Sequence, residues 1–328
     1  MPWRGIHNPY YTWISEIMLQ QTRVEAATDY FLRFVKALPT VSDLANVPDE
    51  QLMKLWEGLG YYSRARNLKK AAQILCRDYG GALPADHTAL MNLPGIGSYT
   101  AGAICSIAFD LPYPAVDGNV LRVVSRLTGC RADIAETKVK KEWDITLAAV
   151  YPKSRAGDFT QSLMELGAIV CLPNGAPRCE NCPLGGICQA KANDTIDLLP
   201  VKAPKKERKV EKHTVFILLA DSKIALRKRP ESGLLAGLWE LPMKDGYLSR
   251  EEVASWFEQQ QTAAKISALK PAKHIFSHVE WRMSGYLVQL EAPLNDPSLV
   301  WVDKPALEGS FALPSAFKAY RKLLDDLL

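Results

Sequence analysis

The chain has 328 residues, 48% of them hydrophobic and 23% charged, with a formal net charge of +4. This composition is ordinary for a globular protein, and the length suggests two domains because a single core rarely grows beyond ~250–300 residues. No apolar run approaches the ~18 residues that span a bilayer, and the N-terminus has no export signal. No membrane or export signal is therefore visible, and we expect a protein of the bacterial cytoplasm. The mild positive charge only hints at an anionic partner.

Residues 1–190 show helical spacing of apolar residues, with Gly and Pro between the helical segments and almost no strand-like alternation. We therefore predict an all-α domain over 1–190. The stretch 10–34 contains no Gly or Pro and predicts a single helix. The other predicted helices span 49–56, 64–79, 98–109, 119–127, 138–150 and 156–170.

Residues 191–212 separate this part from the rest of the chain. Six Lys and Arg residues and two prolines lie between 200 and 212, among them Lys205 and Lys206. The pattern predicts a solvated linker, and a tether that runs beside DNA phosphates is compatible with the same residues.

Residues 213–328 change in character. Strands are predicted at 214–219 and 223–228 around a turn at Asp221 and Ser222, and residues 274–289 are strand-rich. A helix is predicted over 249–260 with Ser249 as its N-cap, and a closing helix over 314–327. The pattern indicates a small α+β domain over 213–328.

The segment 93–101, Leu-Pro-Gly-Ile-Gly-Ser-Tyr-Thr-Ala, lies between two predicted helices. Gly95 and Gly97 allow a tight turn whose backbone amides, with the start of the next helix, suit one DNA phosphate. A helix–hairpin–helix is the natural interpretation. An ordinary turn between two helices is the alternative.

Four cysteines lie within 18 residues, at Cys171, Cys179, Cys182 and Cys188. Four thiolates at such spacing can hold a metal or an iron–sulfur cluster. A disulfide pair is the alternative, and it is disfavoured in the cytosol. The spacing does not separate zinc from iron–sulfur.

Two carboxylates, Glu16 and Asp117, form a candidate pair in which one is neutral and one is charged. Glu16 has apolar neighbours on a predicted helix, which would raise its pKa as a general acid requires. Asp117 directly precedes a predicted helix, where it fits an N-cap, and the helix end would keep it ionised. One neutral and one charged carboxyl is the division of labour that breaks a glycosidic bond.

Taken together, these motifs resemble a known family. The runs 15–23 (SEIMLQQTR), 56–64 (WEGLGYYSR), 93–101 and 115–119 (AVDGN) and the four cysteines occur in the order seen in the MutY-type adenine DNA glycosylases of the endonuclease III, or helix–hairpin–helix, superfamily. The runs 233–242 (GLLAGLWELP) and 276–278 (FSH) resemble the second, Nudix-like domain of that family. The resemblance covers nearly the whole chain.

The resemblance implies a role for each catalytic position. Glu16 would protonate the adenine ring, and Asp117 would stabilise the oxocarbenium-like sugar or bond to it briefly. Tyr99 and Asn119 would position Asp117 and the attacking water. The cysteines would hold a structural 4Fe–4S cluster, with zinc as the alternative. Relatives that also nick the strand carry a Lys at the position of Tyr99, so base removal without efficient strand cleavage is expected.

The resemblance also implies the DNA contacts. The adenine must be flipped out of the stack, and side chains must fill the gap. The implied positions are Gln21 and Tyr61 as wedges, Thr22 and Leu59 beside the opposite base, Trp3, Arg4 and Gln161 at the adenine pocket, Gly95 and Gly97 at a phosphate, and Phe276, Ser277 and His278 at the base opposite adenine. A solvent-facing helix position is the alternative for Gln161, a buried turn residue for Phe276, and core packing is preferred for Tyr62.

The second domain lacks one feature of Nudix hydrolases, and two further features depart from the MutY-type family. The Nudix metal signature, a Glu-rich helix after a Gly, is replaced by Arg250-Glu-Glu-Val-Ala-Ser-Trp-Phe-Glu, so the second domain is expected to bind rather than hydrolyse. Family members usually carry about one more helix before the Pro-Trp-Arg segment with which this chain starts. Seven residues separate Cys171 and Cys179 where six are usual, and a surface loop absorbs one residue easily.

Three functions are compatible with these observations. The first is an adenine glycosylase that acts, as a monomer, on double-stranded DNA with adenine opposite 8-oxoguanine or guanine. The second is a glycosylase of the same superfamily with another target, such as thymine opposite guanine, although such relatives generally lack the second domain. The third is a non-catalytic iron–sulfur protein that binds DNA.

Overall fold

The computed structural model describes residues 1–6, 8–204, 207–259 and 262–328. The chain divides into two units: unit 1 is Met1–Val47 with Arg66–Pro204, and unit 2 is Pro48–Ala65 with Lys205–Leu328. Lys205 and Lys206 of the predicted linker and Gln260 of the predicted helix 249–260 lie outside the described residues. No helix in the described ranges is long and apolar enough to cross a membrane.

The first 204 residues are helical, as predicted, and the described part of this stretch contains no strand. The helices are α1 (Pro9–Leu19), α2 (Val24–Ala37), α3 (Val41–Asn46), α4 (Asp49–Leu55), α5 (Ser63–Asp78), α6 (His87–Met91), α7 (Ser98–Ala103), α8 (Gly118–Thr128), α9 (Thr137–Val150), α10 (Ala156–Glu165) and α11 (Gln189–Ala192). Four of the predicted helices, at 49–56, 64–79, 119–127 and 138–150, are confirmed to within one residue at each end.

The prediction of one helix over 10–34 is wrong, because the chain breaks between α1 and α2 at residues 20–23. Gln21 has a φ of 60°, in the left-handed region that stops a right-handed helix. Apolar spacing continues across the break, which is why periodicity did not reveal it. The predicted helices 98–109 and 156–170 each end in a π-helical turn, at Ile104–Ala108 and Leu166–Val170.

In unit 1, α7 lies unusually close to the segment that leads into α8. Gly102, inside α7, makes this possible: a Cβ added there would lie 1.9 Å from the carbonyl oxygen of Pro114. Apolar side chains of α8, including Val120 and Val124, are buried in a core cluster that continues to Tyr151 and Ala156. The close approach positions α7 and the start of α8 side by side.

Unit 2 is built on a twisted sheet, as the predicted α+β class requires. Its strands are β1 (Lys209–Ala220), β2 (Lys223–Lys228), β3 (Trp239–Glu240), β4 (Met243–Asp245), β5 (Ala264–Ile275), β6 (Val279–Leu290) and β7 (Leu299–Val302). The order is β3-β2-β1-β6-β5, with β4 paired to β1 and β7 to β2. The β1–β6 pair is parallel, and β5–β6 is antiparallel.

Helices cover both faces of this sheet. They are α12 (Arg250–Gln259), α13 (Lys304–Gly309) and α14 (Lys318–Leu327). One core contains Val253 and Phe257 of α12, and the other contains Tyr320 and Leu324 of α14. Because successive strand residues point to opposite faces, β1, β2, β5, β6 and β7 each contribute to both cores.

The predicted N-cap at Ser249 and the predicted turn at Asp221 and Ser222 are both confirmed. Ser249 caps α12: its hydroxyl accepts the Glu252 N–H at 3.2 Å, and its own N–H donates to the Glu252 carboxylate at 2.6 Å. This is a reciprocal capping box. Asp221 and Ser222 both have positive φ values, 48° and 57°, as a two-residue hairpin turn requires.

We expect Gly102→Ala to lower the free energy of unfolding by about 2–3 kcal/mol, because a methyl group there collides with backbone that cannot move aside. Urea unfolding followed by circular dichroism measures the change. Gly118→Ala is the matched control, since a Cβ at this helical glycine meets nothing within 4 Å. Equal stability of Gly102→Ala and the wild type would contradict the close approach.

Candidate active site

A single cavity in unit 1 gathers most of the predicted site residues of that unit. Its volume is about 230 Å³. This is below the ~300–1,000 Å³ of pockets for drug-sized ligands, as suits one nucleobase. The predicted residues that line it are Trp3, Arg4, Glu16, Thr22, Tyr99, Asp117, Asn119 and Gln161. Gln21, Gly95 and Gly97 are not among its lining residues.

Glu16 is held in the cavity by α1. The helix begins cleanly because the Asn8 side chain accepts the Tyr10 N–H at 2.9 Å and Pro9 occupies its first turn. Glu16 is only 5% exposed, and the Tyr99 hydroxyl donates a hydrogen bond to its carboxylate.

The pKa of Glu16 is raised to about 7, mainly by burial and also by the nearby Asp117. The Tyr99 hydrogen bond and the Arg4 charge lower it without cancelling the effect of burial. The sequence-based expectation of a raised pKa at Glu16 agrees with this environment. The resemblance paired Tyr99 with Asp117, whereas the Tyr99 hydroxyl bonds to Glu16.

Asp117 is the N-cap of α8 and also lines the cavity. Its structural role as a helix cap is therefore compatible with a functional role in the cavity. One carboxylate oxygen accepts the Val120 N–H at 2.7 Å, and the other accepts the Asn119 side-chain amide at 2.8 Å. These hydrogen bonds lower its pKa, but burial outweighs them and the pKa is raised. The direction of this shift is opposite to the one expected from the helix end, and the ionisation of Asp117 stays a prediction.

A chain of hydrogen bonds connects Asp117 to the cysteine loop. The Arg122 guanidinium, on α8, donates to the Asn119 side-chain oxygen at 2.9 Å and to the Gly167 carbonyl at 2.6 Å. It also donates to the Cys171 carbonyl at 2.7 Å. Arg122 is 6% exposed and therefore has little room to move on its own. A displacement of the loop would shift Arg122 and, through the hydrogen bonds of Asn119, the orientation of Asp117.

The four clustered cysteines line a second cavity in unit 1. All seven cysteines of the chain are free, so no disulfide forms among them. Arg126, on α8, lies beside the loop: its guanidinium is 3.3 Å from the Cys171 sulfur, and its carbonyl accepts from the Cys188 thiol at 3.4 Å. Across the described ranges, no three Cys, His, Asp or Glu side chains converge as ligands of one ion.

The predicted hairpin connects α6 and α7, which agrees with a helix–hairpin–helix arrangement. Gly95 has a φ of +78°, and a Cβ there would lie 2.7 Å from the Asn67 Cβ. Gly97 is the residue before α7, and the Ser98 hydroxyl donates to Asp144 at 2.6 Å. Glycine is thus required at residue 95 by both backbone conformation and space.

The two predicted wedge residues share an unusual backbone. Gln21 and Tyr61 have φ values of 60° and 47°, and both are exposed. Non-glycine residues in the left-handed region cluster at functional sites, because the surrounding structure must hold them there. Leu59 is 8% exposed, so it offers little surface to DNA in this conformation, and Tyr62 is buried as expected.

Within unit 2, the turn at residues 276–278 contacts the wedge loop, which is the loop at residues 58–61 that carries Tyr61. The Ser277 and Tyr61 hydroxyls are 2.7 Å apart. Phe276 packs against the Trp281 ring, with centroids 5.0 Å apart, which favours the packing alternative for this residue. Ser277 and His278 are exposed, and the Ser277 hydroxyl is paired with that of Tyr61.

The sequence analysis missed two charged residues near the cavity. Glu165 lines it and pairs with Arg4 at 2.8 Å. It lies four residues after Gln161 on α10, a spacing that puts both on one helix face and could have revealed it. Arg122 was missed because its partners are distant in sequence.

Comparisons with known proteins agree with this geometry. Residues 14–146 match the HhH-GPD superfamily of base excision DNA repair proteins, and residues 214–323 match the NUDIX domain family. An adenine DNA glycosylase of Buchnera aphidicola subsp. Baizongia pistaciae is 36% identical, covering 85% of this chain and 78% of that protein. One of Mus musculus is 32% identical, covering 98% of this chain and 75% of that protein.

Two solved structures share the fold. A thermostable thymine-DNA glycosylase has a TM-score of 0.54 and 29% identity, covering 59% of this chain and 88% of that one. A trapped endonuclease III–DNA covalent intermediate has a TM-score of 0.51 and 31% identity, covering 57% of this chain and 86% of that one. The motif-based resemblance and the two-domain fold class are confirmed.

The raised pKa of Glu16 predicts a pH-dependent stability. The folded chain holds this proton to about pH 7, whereas the ordinary value is 4.5. The folded state therefore binds more protons between these values, and stability falls as pH rises through this window. Glu16→Gln has no titrating group at this position. We expect its free energy of unfolding, relative to that of the wild type, to rise by about 2 kcal/mol between pH 5 and pH 8.

Urea unfolding at the two pH values measures this gain. Glu142→Gln, at an exposed position on α9, is the control and should show no pH-dependent difference. A Glu16→Gln advantage that is the same at pH 5 and pH 8 would show that Glu16 titrates normally.

Proposed function

The chain belongs to the adenine DNA glycosylases, and from this membership we propose that it is a monofunctional enzyme of base excision repair. Its substrate is an adenine mispaired with 8-oxoguanine or guanine in double-stranded DNA, which it flips out before hydrolysing the bond to the sugar. The observation that carries the proposal is that Glu16 and Asp117 line one base-sized cavity.

Glu16 is the general acid of the proposed reaction. A carboxyl with a pKa of about 7 is about half protonated at neutral pH and largely protonated below it, and it can still release its proton. Proton transfer to a ring nitrogen lets the bond between adenine and C1′ break with its electron pair going to the base. The Tyr99 hydroxyl holds the carboxyl in place.

Asp117 is the anion of the proposed reaction. As the glycosidic bond breaks, positive charge develops on the sugar, and an opposite charge nearby favours the ionised carboxylate. Asn119 fixes the orientation of Asp117 through its amide. Water then adds hydroxide to C1′, and its proton returns to a carboxylate of the cavity, so atoms and charges balance.

Strand cleavage is not part of the proposed activity. A lyase needs an amine that forms a Schiff base with the sugar, and Tyr99 provides a phenol at that hairpin position. No Lys is found among the described residues that line the cavity. The product is therefore an abasic site in an intact strand.

Unit 2 is proposed to read the base opposite the adenine. In unit 1, Gln21 is proposed to fill the space left by a flipped base and Thr22 to contact the base opposite adenine. In unit 2, Tyr61 is proposed as a wedge, Leu59 as a contact of the opposite base and Ser277 as the contact of an oxidised purine. An exposed aromatic ring stacks on bases, and an amide replaces base hydrogen bonds, which suits Tyr61 and Gln21 to these roles.

The cysteine cavity is proposed to hold a 4Fe–4S cluster. The four thiols line one cavity in the described chain, and four thiolates are a ligand set for such a cluster as well as for zinc. The family resemblance favours the cluster, and zinc is the alternative. The cluster would order the loop, and Arg122 and Arg126 join that loop to α8.

The coverage of the relatives favours adenine over another target. The thymine-DNA glycosylase and endonuclease III structures match 59% and 57% of the chain. The two adenine DNA glycosylases match 85% and 98% of it. The additional residues include the Nudix-like part, which the second candidate function leaves unexplained.

A glycosylase assay tests the proposal. We expect the protein to remove adenine opposite 8-oxoguanine, revealed by a strand break only after hot alkali. The single-turnover rate should fall as pH rises above about 7, because Glu16 loses the proton it donates. Glu16→Gln and Asp117→Asn should each lower the rate by a factor of about 100 or more while duplex binding persists.

Three results would contradict this scheme. Absence of alkali-labile sites in the wild type removes the enzyme function and leaves a DNA-binding protein. Cleavage of a thymine or oxidised-pyrimidine duplex in preference to adenine favours the second candidate. Full activity of either variant removes that residue from the mechanism.

Iron and sulfide analysis tests the cofactor. We expect the purified protein to be brown, with about four irons and four sulfides per chain and absorption in the blue. Cys182→Ser should reduce the iron content, whereas Cys76→Ser, outside the cysteine cavity, should leave it unchanged. A colourless protein with one zinc per chain would overturn the assignment.

A further inference from the structure

The segment Pro48–Ala65 belongs to unit 2 together with the C-terminal part of the chain. It contains α4 and the wedge loop 58–61, whereas the sequence-based domain plan assigned it to the helical domain. Charged side chains of α4 make the contacts that hold it there. Lys54 donates from its ammonium group to the carbonyl oxygens of Leu307, at 3.0 Å, and Phe311, at 3.3 Å.

Glu57 makes a second set of contacts with the same region. One carboxylate oxygen accepts the Leu313 backbone N–H at 2.9 Å, and the other is 2.7 Å from the Lys54 ammonium. Arg321 of α14 lies 3.6 Å from the same carboxylate. Lys54 and Glu57 thus form a bridge in which both charges also bind the C-terminal segments.

These two charges are mostly withdrawn from solvent. The side chains of Lys54 and Glu57 are 18% and 21% exposed, so water does not compete strongly for them. Lys54 lies against carbonyls at the end of α13, where a cation is favoured by the helix dipole. Removing either partner leaves the other charge poorly paired, which is costly for a group so little hydrated.

The wedge loop is also tied to unit 2 at its tip. Arg64 donates to the Leu59 and Gly60 carbonyls, both at 3.1 Å, which fixes the loop backbone. The Tyr61 hydroxyl meets that of Ser277 at 2.7 Å. The segment 48–65 is therefore attached at two places. Lys54 and Glu57 bind the C-terminal segments, and Tyr61 binds Ser277 in the turn 276–278, the reading turn.

We infer that Lys54 and Glu57 are positioning residues that lock the wedge segment to the Nudix-like part, so that wedge and reading turn act as one rigid recognition surface. The inference rests on the proposed function for its consequence, which is discrimination of the base opposite adenine. A rigid surface loses less conformational freedom when it binds DNA. A single added contact to an oxidised purine then contributes its full interaction energy to binding. A detached wedge would stack on DNA regardless of the opposite base.

The docking is tested first, without reference to activity. Hydrogen–deuterium exchange of the full chain should show faster exchange in residues 50–62 of Lys54→Met and of Glu57→Gln than in the wild type. Lys304→Met is the matched control. Lys304 also lies in unit 2, but it donates to the Asp325 carbonyl at 3.0 Å instead of to the segment 48–65. Unchanged exchange in both variants would overturn the inference.

The consequence is tested by single-turnover removal of adenine opposite 8-oxoguanine and opposite guanine. We expect the ratio of the two rates to fall by about fivefold or more in Lys54→Met and Glu57→Gln and to stay constant in Lys304→Met. A general loss of stability would lower both rates together and leave the ratio unchanged, and that result would overturn the positioning role.

The variants also separate folding from positioning. Should Lys54→Met fail to fold, Glu57→Gln decides, because its amide oxygen still accepts the Leu313 N–H while the charge is lost. A wild type that releases adenine from neither duplex refutes the proposed function. The exchange experiment would still decide whether these residues lock the segment.

Discussion

The burial of one carboxyl group, Glu16, sets the conditions for the rest of unit 1. A carboxyl in this position is stable when it keeps its proton, because burial raises its pKa. Asp117, at the start of α8, raises the pKa of Glu16 as well, whereas the Tyr99 hydroxyl on α7 donates to the Glu16 carboxylate and lowers it. The approach of α7 to the segment before α8, which Gly102 allows, brings these groups to one cavity. The acid and the anion are therefore consequences of helix packing.

Helix α8 connects the chemistry to the cysteine loop. Its N-terminal end carries Asp117, and its buried side carries Arg122 and Arg126, which bind carbonyls of the loop that contains Cys171. An arginine buried in this way needs all of its donors satisfied, so the loop must be ordered for α8 to be well placed. A cluster that orders the loop would thus support Asp117 without taking part in the reaction.

Unit 2 shows how a short segment can serve a distant part of the chain. The residues around Lys54 and Glu57 are separated from their partners by some 250 positions in the sequence, and their bonds run mainly to backbone groups. Backbone partners carry no side-chain signature, so no motif announces them. The reading turn and the wedge loop come together because two charged side chains and one pair of hydroxyls hold them.

The sequence by itself determined the features that depend on near neighbours. Helix limits such as those of α8 and α9, the capping of α12 by Ser249 and the N-cap position of Asp117 all follow from residues within one or two turns. The ordered motifs also indicated the family and the acid–anion pair. These are local signals, since capping and apolar periodicity act over a few residues.

Tertiary structure alone decided the break at Gln21, the hydrogen bond from Tyr99 to Glu16 and the raised pKa of Asp117. It also decided the attachment of Lys54 and Glu57 to the C-terminal segments. Each of these depends on how closely remote segments approach and how much water they exclude. Such distances result from packing of the whole unit, and no window of the sequence contains them.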